Sequence, residues 1–198
     1  MFNIRFRNLL TLNRLSLFSV LALIALLCNF AAAETVPVNG MNDSTNYEDV
    51  DIVDTLGKAA YTHKGTITGS SSLTINAPAT NSNYRQWLGG ADGSYTFTGP
   101  ITVNGGQLLI STGTLKTNSI NLNGGDMYVM YADCLPHDAV INVGAGSMLD
   151  LESKANAIKG ATINVSSGGS FRLASQNLND ATEPVSVPRI SNCLPVSM

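Results

Sequence analysis

Apolar residues come in short alternating bursts through the middle of the chain, and the bursts come in pairs. Ile101 and Val103 are followed, across Asn104-Gly105-Gly106, by Leu108 and Ile110. Ile120 and Leu122 are followed, past Gly125, by Met127 and Val129. Ile141 and Val143 lead through Gly146 to Met148, with Leu149 and Leu151 beyond; Ile163 and Val165 lead through Gly169 to Phe171 and Leu173. The four starts are 19, 21 and 22 residues apart. Alternation with period two puts the apolar side chains of each burst on one face of a strand. The glycine between bursts gives the backbone freedom for a tight corner. A unit of this length buries its apolar face only by stacking on copies of itself, so the spacing predicts a parallel β-helix with rungs of about 19–22 residues.

The competing reading is an antiparallel sandwich or barrel, because Asn-Gly at 104–105 and 123–124 is a hairpin signal. The turn chemistry drifts between copies while the apolar pattern returns, which favours a coil. In a coil, equivalent positions lie one above another, so Asn104 and Asn123, and Asn121, Asn142 and Asn164, are expected to form ladders. Outside the four copies the pattern frays. A degenerate copy is read from Ile67 through Leu73 and Ile75, and a further start at Val185-Ser-Val187. Residues 76–94 interrupt the pattern, and it resumes at Tyr95 and Phe97. Lys154–Lys159 is the one weak helical candidate.

The ends have a different character. Arg5, Arg7 and Arg14 precede an uncharged Leu/Ala-rich stretch, Leu15 to Ala33, that closes on Ala31-Ala32-Ala33. This is the form of a secretory signal peptide, with an uncleaved anchor helix as the alternative. Loss of residues 1–33 takes the formal charge from −3 to −6. An acidic chain with scattered Lys and Arg has no stripe to neutralise phosphates, so nucleic acid and anionic membrane surfaces are not expected partners. No later apolar run is long enough to span a membrane as a helix. Residues 34–64 are acidic: the reading is a mobile leader to about Asn46, then an edge strand or cap at 49–54, ahead of a solenoid over 65–198.

The stretch from Gly93 through Tyr95-Thr-Phe97-Thr-Gly99, Ile101-Thr-Val103-Asn-Gly-Gly106 and Gln107-Leu108-Leu109-Ile110 resembles the autotransporter-associated β-strand repeat. Residues 93–129 carry the resemblance closely and 141–173 more loosely. It implies a right-handed β-helical passenger domain exported to the bacterial cell surface or beyond, with the periplasm as fallback. Such a family also implies a membrane barrel of about a dozen strands, which nothing after Leu173 supplies. The chain is therefore expected to be a truncated member, a fragment of a broken reading frame, or a small secreted relative. Further rungs are expected if the reading frame runs on past Met198.

Candidate chemistry is sparse. Cys134 and Cys193 suggest a disulfide in an exported chain, but their expected rungs lie about 14 Å apart, beyond the reach of a bridge unless the tail folds back. Cys134 and His137 at i, i+3, with Asp133 or Asp138, form only part of a zinc set. Asp49, Asp51 and Asp54 lack the glycine and distant glutamate of a calcium loop. Asp150 shares a strand face with Glu152 and sits at the same offset as Arg172 one rung on, which reads as an ion-pair ladder before it reads as catalysis. No metal, cofactor or catalytic residue is expected. Tyr84, Arg85 and Trp87 are the binding candidates, because they lie in the longest break between copies and aromatics with Arg anchor interfaces; the plain alternative has Trp87 capping the core. The functional expectation is a non-enzymatic structural or adhesive module for a host or cell-surface protein or glycan. The alternatives are a β-helical polysaccharide lyase or hydrolase fragment, or a secreted subunit that associates end to end.

Overall fold

The computed structural model describes residues 32–41, 44–57, 60–78, 84–89, 95–111, 115–130, 134–151, 160–173 and 189–191. The chain divides into two units, Met1–Ala32 and Ala33–Met198, and the fold described here is that of the second. Its strands in chain order are β1 Glu34–Val38, β2 Tyr47–Glu48, β3 Val50–Asp54, β4 Tyr61–His63, β5 Ile67–Thr68, β6 Ser72–Asn76, β7 Arg85–Leu88 and β8 Ile101–Gly105. They continue as β9 Gln107–Ile110, β10 Ser119–Leu122, β11 Asp126–Val129, β12 Val140–Val143, β13 Met148–Leu151, β14 Thr162–Val165, β15 Ser170–Leu173 and β16 Arg189–Ser191. No helix occurs among the described residues.

Every strand pairing among the described residues is parallel. One sheet runs β1-β3-β6-β8-β10-β12-β14-β16, a second runs β4-β7-β9-β11-β13-β15, and β2-β5 form a small third. Tyr95 bridges to Ile67 on the third face, where Leu115 N–H also bonds the Cys134 carbonyl at 2.9 Å. Successive strands thus lie in different sheets, and each pairs with its counterpart one coil away. This is a β-solenoid, and it excludes the hairpin reading: Asn-Gly turns the chain from one sheet into the next.

The register explains the repeat. Leu73, Ile101, Ile120, Ile141 and Ile163 are mutual partners down the first sheet, and all are 0 % exposed. Ile75, Val103, Leu122 and Val143 form the next inward column. Leu108, Met127 and Leu149, and Ile110, Val129 and Leu151, do the same in the second sheet. Burying one such side chain contributes about 1.5–3 kcal/mol, and no single coil can enclose these columns alone. The corner glycines are steric necessities. Gly106 has φ +74°, and a Cβ there would meet the Ala77 methyl at 2.6 Å; at Gly125 it would meet Val103 Cγ1 at 2.5 Å.

The frayed copies register differently from their sequence reading. Leu73, not Ile67, stacks on Ile101; Ile67 lies on the third face, opposite Tyr47 and Tyr95. Ile67 misleads as the start of a copy because a buried third-face residue carries the same apolar signal. The strand after Ile163 is centred on Ile190, while Val185–Val187 lies outside the described residues, as do Lys154–Lys159, Asp133, Glu152 and Cys193. The acidic segment does not stand apart from the stack: β1 pairs with β3 and β3 with β6 in the same sheet as the repeats. Within the stretch read as leader, Glu34–Val38 alternates enough to pair, and β3 is covered on both sides.

The inward columns change character at their N-terminal end. Asp54 occupies the column of Ile75 and Val103, Gln86 that of Leu108, and His63 that of Leu88 and Ile110. These polar groups are buried. Asp54 Oδ1 accepts from Gly40 N–H at 2.7 Å and Leu56 N–H at 2.9 Å. The Gln86 amide holds both main-chain groups of Met41, accepting from N–H at 3.0 Å and donating to the carbonyl at 2.9 Å. Met41, 1 % exposed, is thus pinned against these columns with both of its main-chain groups bonded.

Candidate functional site

The segment read as an insertion is a strand. Arg85–Leu88 forms β7, between β4 and β9 in the second sheet. It escaped the apolar pattern because Gln86 fills an inward position where later coils carry Leu108 and Met127. Its alternation decides the fate of the binding candidates. Gln86 and Leu88 face the core, while Arg85 is exposed and Trp87 half-buried, so both lie on the outer face. Trp87 therefore does not cap the core; its indole N–H donates to Ser111 Oγ. Tyr84, just ahead of the strand, packs against the core cluster instead. The three candidates divide accordingly, two outward and one structural.

The register extends Arg85 and Trp87 into two outer columns. Arg85 sits beside Gln107, and Gln107 beside Asp126. Trp87 sits beside Leu109, followed by Tyr128, Asp150 and Arg172. From β7 to β15 this is four strand spacings, about 19 Å. The two columns are tied together: Arg85 Nε donates to Gln107 Oε1 at 2.7 Å, and Gln107 Nε2 donates to the Tyr128 hydroxyl at 3.3 Å. Arg172 donates through Nε to Asp150 Oδ2 at 2.8 Å and through Nη2 to the same oxygen. The ion-pair ladder expected at Asp150 and Arg172 is therefore present, with Asp150 fully buried although it sits at an outward position. Its other oxygen, Oδ1, is buried without a hydrogen-bond partner.

The electrostatics bind the band further. Burial raises the Asp126 carboxyl above the ordinary range, and the Asp150 charge adds to this; bonds from Met148 N–H and the Gln107 amide oppose it. Burial also raises the Tyr128 phenol, reinforced by Asp126 and Asp150 and opposed by Arg172 and Arg85. Two carboxylates and two guanidiniums thus act on one hydroxyl. Sequence reasoning missed Gln107, Asp126 and Tyr128. The available signal was their common offset in the second burst of each unit, aligned with Arg85 and Trp87.

The other candidates scatter. Cys134 is buried in the core, whereas His137 and Asp138 are exposed, so the i, i+3 spacing does not converge. Asp49 accepts from Ser70 N–H and Oγ, Asp51 from Ser72 Oγ, and Asp54 faces the core. The three carboxylates are committed to separate partners. No group of three or more His, Cys, Asp or Glu is placed to share a metal ion among the described residues. Comparison with known proteins finds no family model, curated protein or solved structure that matches the chain.

Proposed function

We propose that the chain is an exported, non-enzymatic β-solenoid that acts at a cell surface as an adhesive recognition module, of the kind its resemblance to autotransporter passengers implies. The observation that supports this reading is the outer band Arg85–Gln107–Asp126 with Trp87–Leu109–Tyr128–Asp150–Arg172. A sheet holds the exposed Arg85 and Arg172 and the half-buried Trp87, Asp126 and Tyr128 in register, and bonds to the buried Gln107 and Asp150 fix the two guanidiniums before any partner arrives. Preorganised polar groups beside aromatic rings are what a recognition surface needs.

The reading has two parts, and each has a test. Export predicts that the full chain, expressed in a Gram-negative host, is recovered outside the inner membrane with Glu34 at its N-terminus; an unprocessed chain retained in the cytoplasm would overturn it. Adhesion predicts that beads coated with the protein capture intact cells and that Arg85→Ala reduces capture at least several-fold. Beads that bind no more cells than uncoated ones would sink the adhesive role.

A further inference from the structure

We infer that the ligand of the outer band is a neutral, hydroxyl-rich oligosaccharide lying along the solenoid axis. The inference rests on the recognition reading above and names the ligand class for that face.

The chemistry of the band selects it. The exposed guanidiniums of Arg85 and Arg172 offer donors in planes fixed by the buried Gln107 and Asp150, while the half-buried Asp126 carboxylate and Tyr128 hydroxyl offer acceptors. A sugar hydroxyl both donates and accepts, so it is served by such alternating planar groups. The half-buried Trp87 and Tyr128, two strands apart in one column, supply aromatic surface to which the C–H side of a pyranose packs. Charge excludes the main competitors. The two Arg and two Asp of the band balance, so neither a polyanion nor a polycation is favoured, and the acidic chain as a whole repels phosphates.

A protein partner would use the same aromatic and Arg anchors but would set them within a wider apolar core. The exposed large hydrophobics among the described residues are Val140 and Leu173. Val140 lies in the other sheet and Leu173 belongs to an inward column, so neither is in the band. Geometry sets the ligand's direction. Equivalent positions recur at each strand spacing along the axis, over about 19 Å, which suits a chain of several sugar units and not a single one.

The other sheet supplies the contrast. Its outer column Asn121–Asn142–Asn164 is neutral and non-aromatic, and its amides bond to one another at 2.9 Å. It serves as the internal control.

The test is affinity electrophoresis of the full chain through native gels holding a soluble β-glucan, a galactomannan or polygalacturonate. Retention by at least one neutral polymer is expected, weakened ten-fold or more by Arg85→Ala and by Tyr128→Phe, and unchanged by Asn142→Ala, with circular dichroism matched across variants. Tyr128→Phe removes one oxygen and leaves the ring, so its effect reports the hydroxyl and not the fold. Retention by polygalacturonate alone would overturn neutrality, and retention by a neutral polymer with both variants at wild-type affinity would overturn the site. Cells captured on beads with no polymer retained would overturn the glycan ligand and leave the adhesive reading standing. A neutral polymer retained with no cells captured would support this inference and remove the adhesive one.

Discussion

Asp54 shows how much depends on one position. It stands where its column otherwise holds Ile75, Val103 and Leu122, yet it cannot be replaced by an apolar residue without stranding the Gly40 and Leu56 amides. Burial raises its carboxyl above 3.8, outweighing the backbone bonds that favour the charge. The folded state therefore holds the proton more tightly than the unfolded one. The stabilisation is fully present below the unfolded value, near 3.8, and is lost as pH rises through the higher folded value. Asp54→Asn keeps an acceptor for both amides and places a neutral group where Oδ2 is buried without a partner. It is expected to be more stable than the parent at pH 7 and to flatten that part of the pH profile, measured by urea denaturation from pH 4 to 8. An unchanged slope would place the titration elsewhere. Asp126, whose carboxyl is also raised by burial, contributes with the same sign, so Asp126→Asn is the companion measurement.

Elements in this molecule are weak alone and strong in register. A four-residue strand such as β12 has partners on both sides, β10 and β14. Ile141→Ala removes the middle of a closed column and is expected to cost about 2–5 kcal/mol, read from the denaturation midpoint. Gly106→Ala places a side chain at φ +74° against Ala77 and is expected to cost about 1–3 kcal/mol. Were it neutral, the corner between β8 and β9 would have to be looser than its contacts imply.

This is also the scale at which the sequence was most readable. Alternation, spacing and corner glycines gave the copies from Ile101 onward in their true register. The equivalent offsets of Asn121, Asn142 and Asn164, and of Asp150 and Arg172, gave contacts the structure contains. The reading failed where a polar residue sat in an apolar column. Gln86 hid β7, and with it the fact that Arg85 and Trp87 stand on a sheet and not in a loop. Asp54 likewise made β3 look like an acidic edge. Those residues bond the backbone of Gly40, Met41 and Leu56, which a repeat pattern cannot anticipate because it occurs once.

At the scale of the whole molecule, stability is close to a sum over neighbouring coils. The central strands β8 to β13 are flanked on both sides in both sheets. At β15 the inward residue Leu173 is 48 % exposed. Hydrogen exchange is expected to be slowest for the amides of Val103, Leu108, Leu122 and Met127 and faster by at least ten-fold at Phe171 and Leu173. Uniform protection across all coils would instead mark a single all-or-none unit. The outer band spans β7 to β15, so its last member, Arg172, sits on the strand expected to open first. Binding of an extended ligand should then slow exchange most at β15.

The asparagine rows carry one more consequence. Asn164 donates to Asn142 and Asn142 to Asn121, while Asn123 donates to Asn104 and Asn104 to Asn76. Both rows point the same way. Turning over the amide of Asn142 alone would set nitrogen against nitrogen on one side and oxygen against oxygen on the other, so its sense is locked to its neighbours'. Within each row the amide dipoles add head to tail instead of cancelling. Positive ends face the first coils and negative ends the last. The solenoid thus has an electrical arrow along its axis, drawn by uncharged side chains.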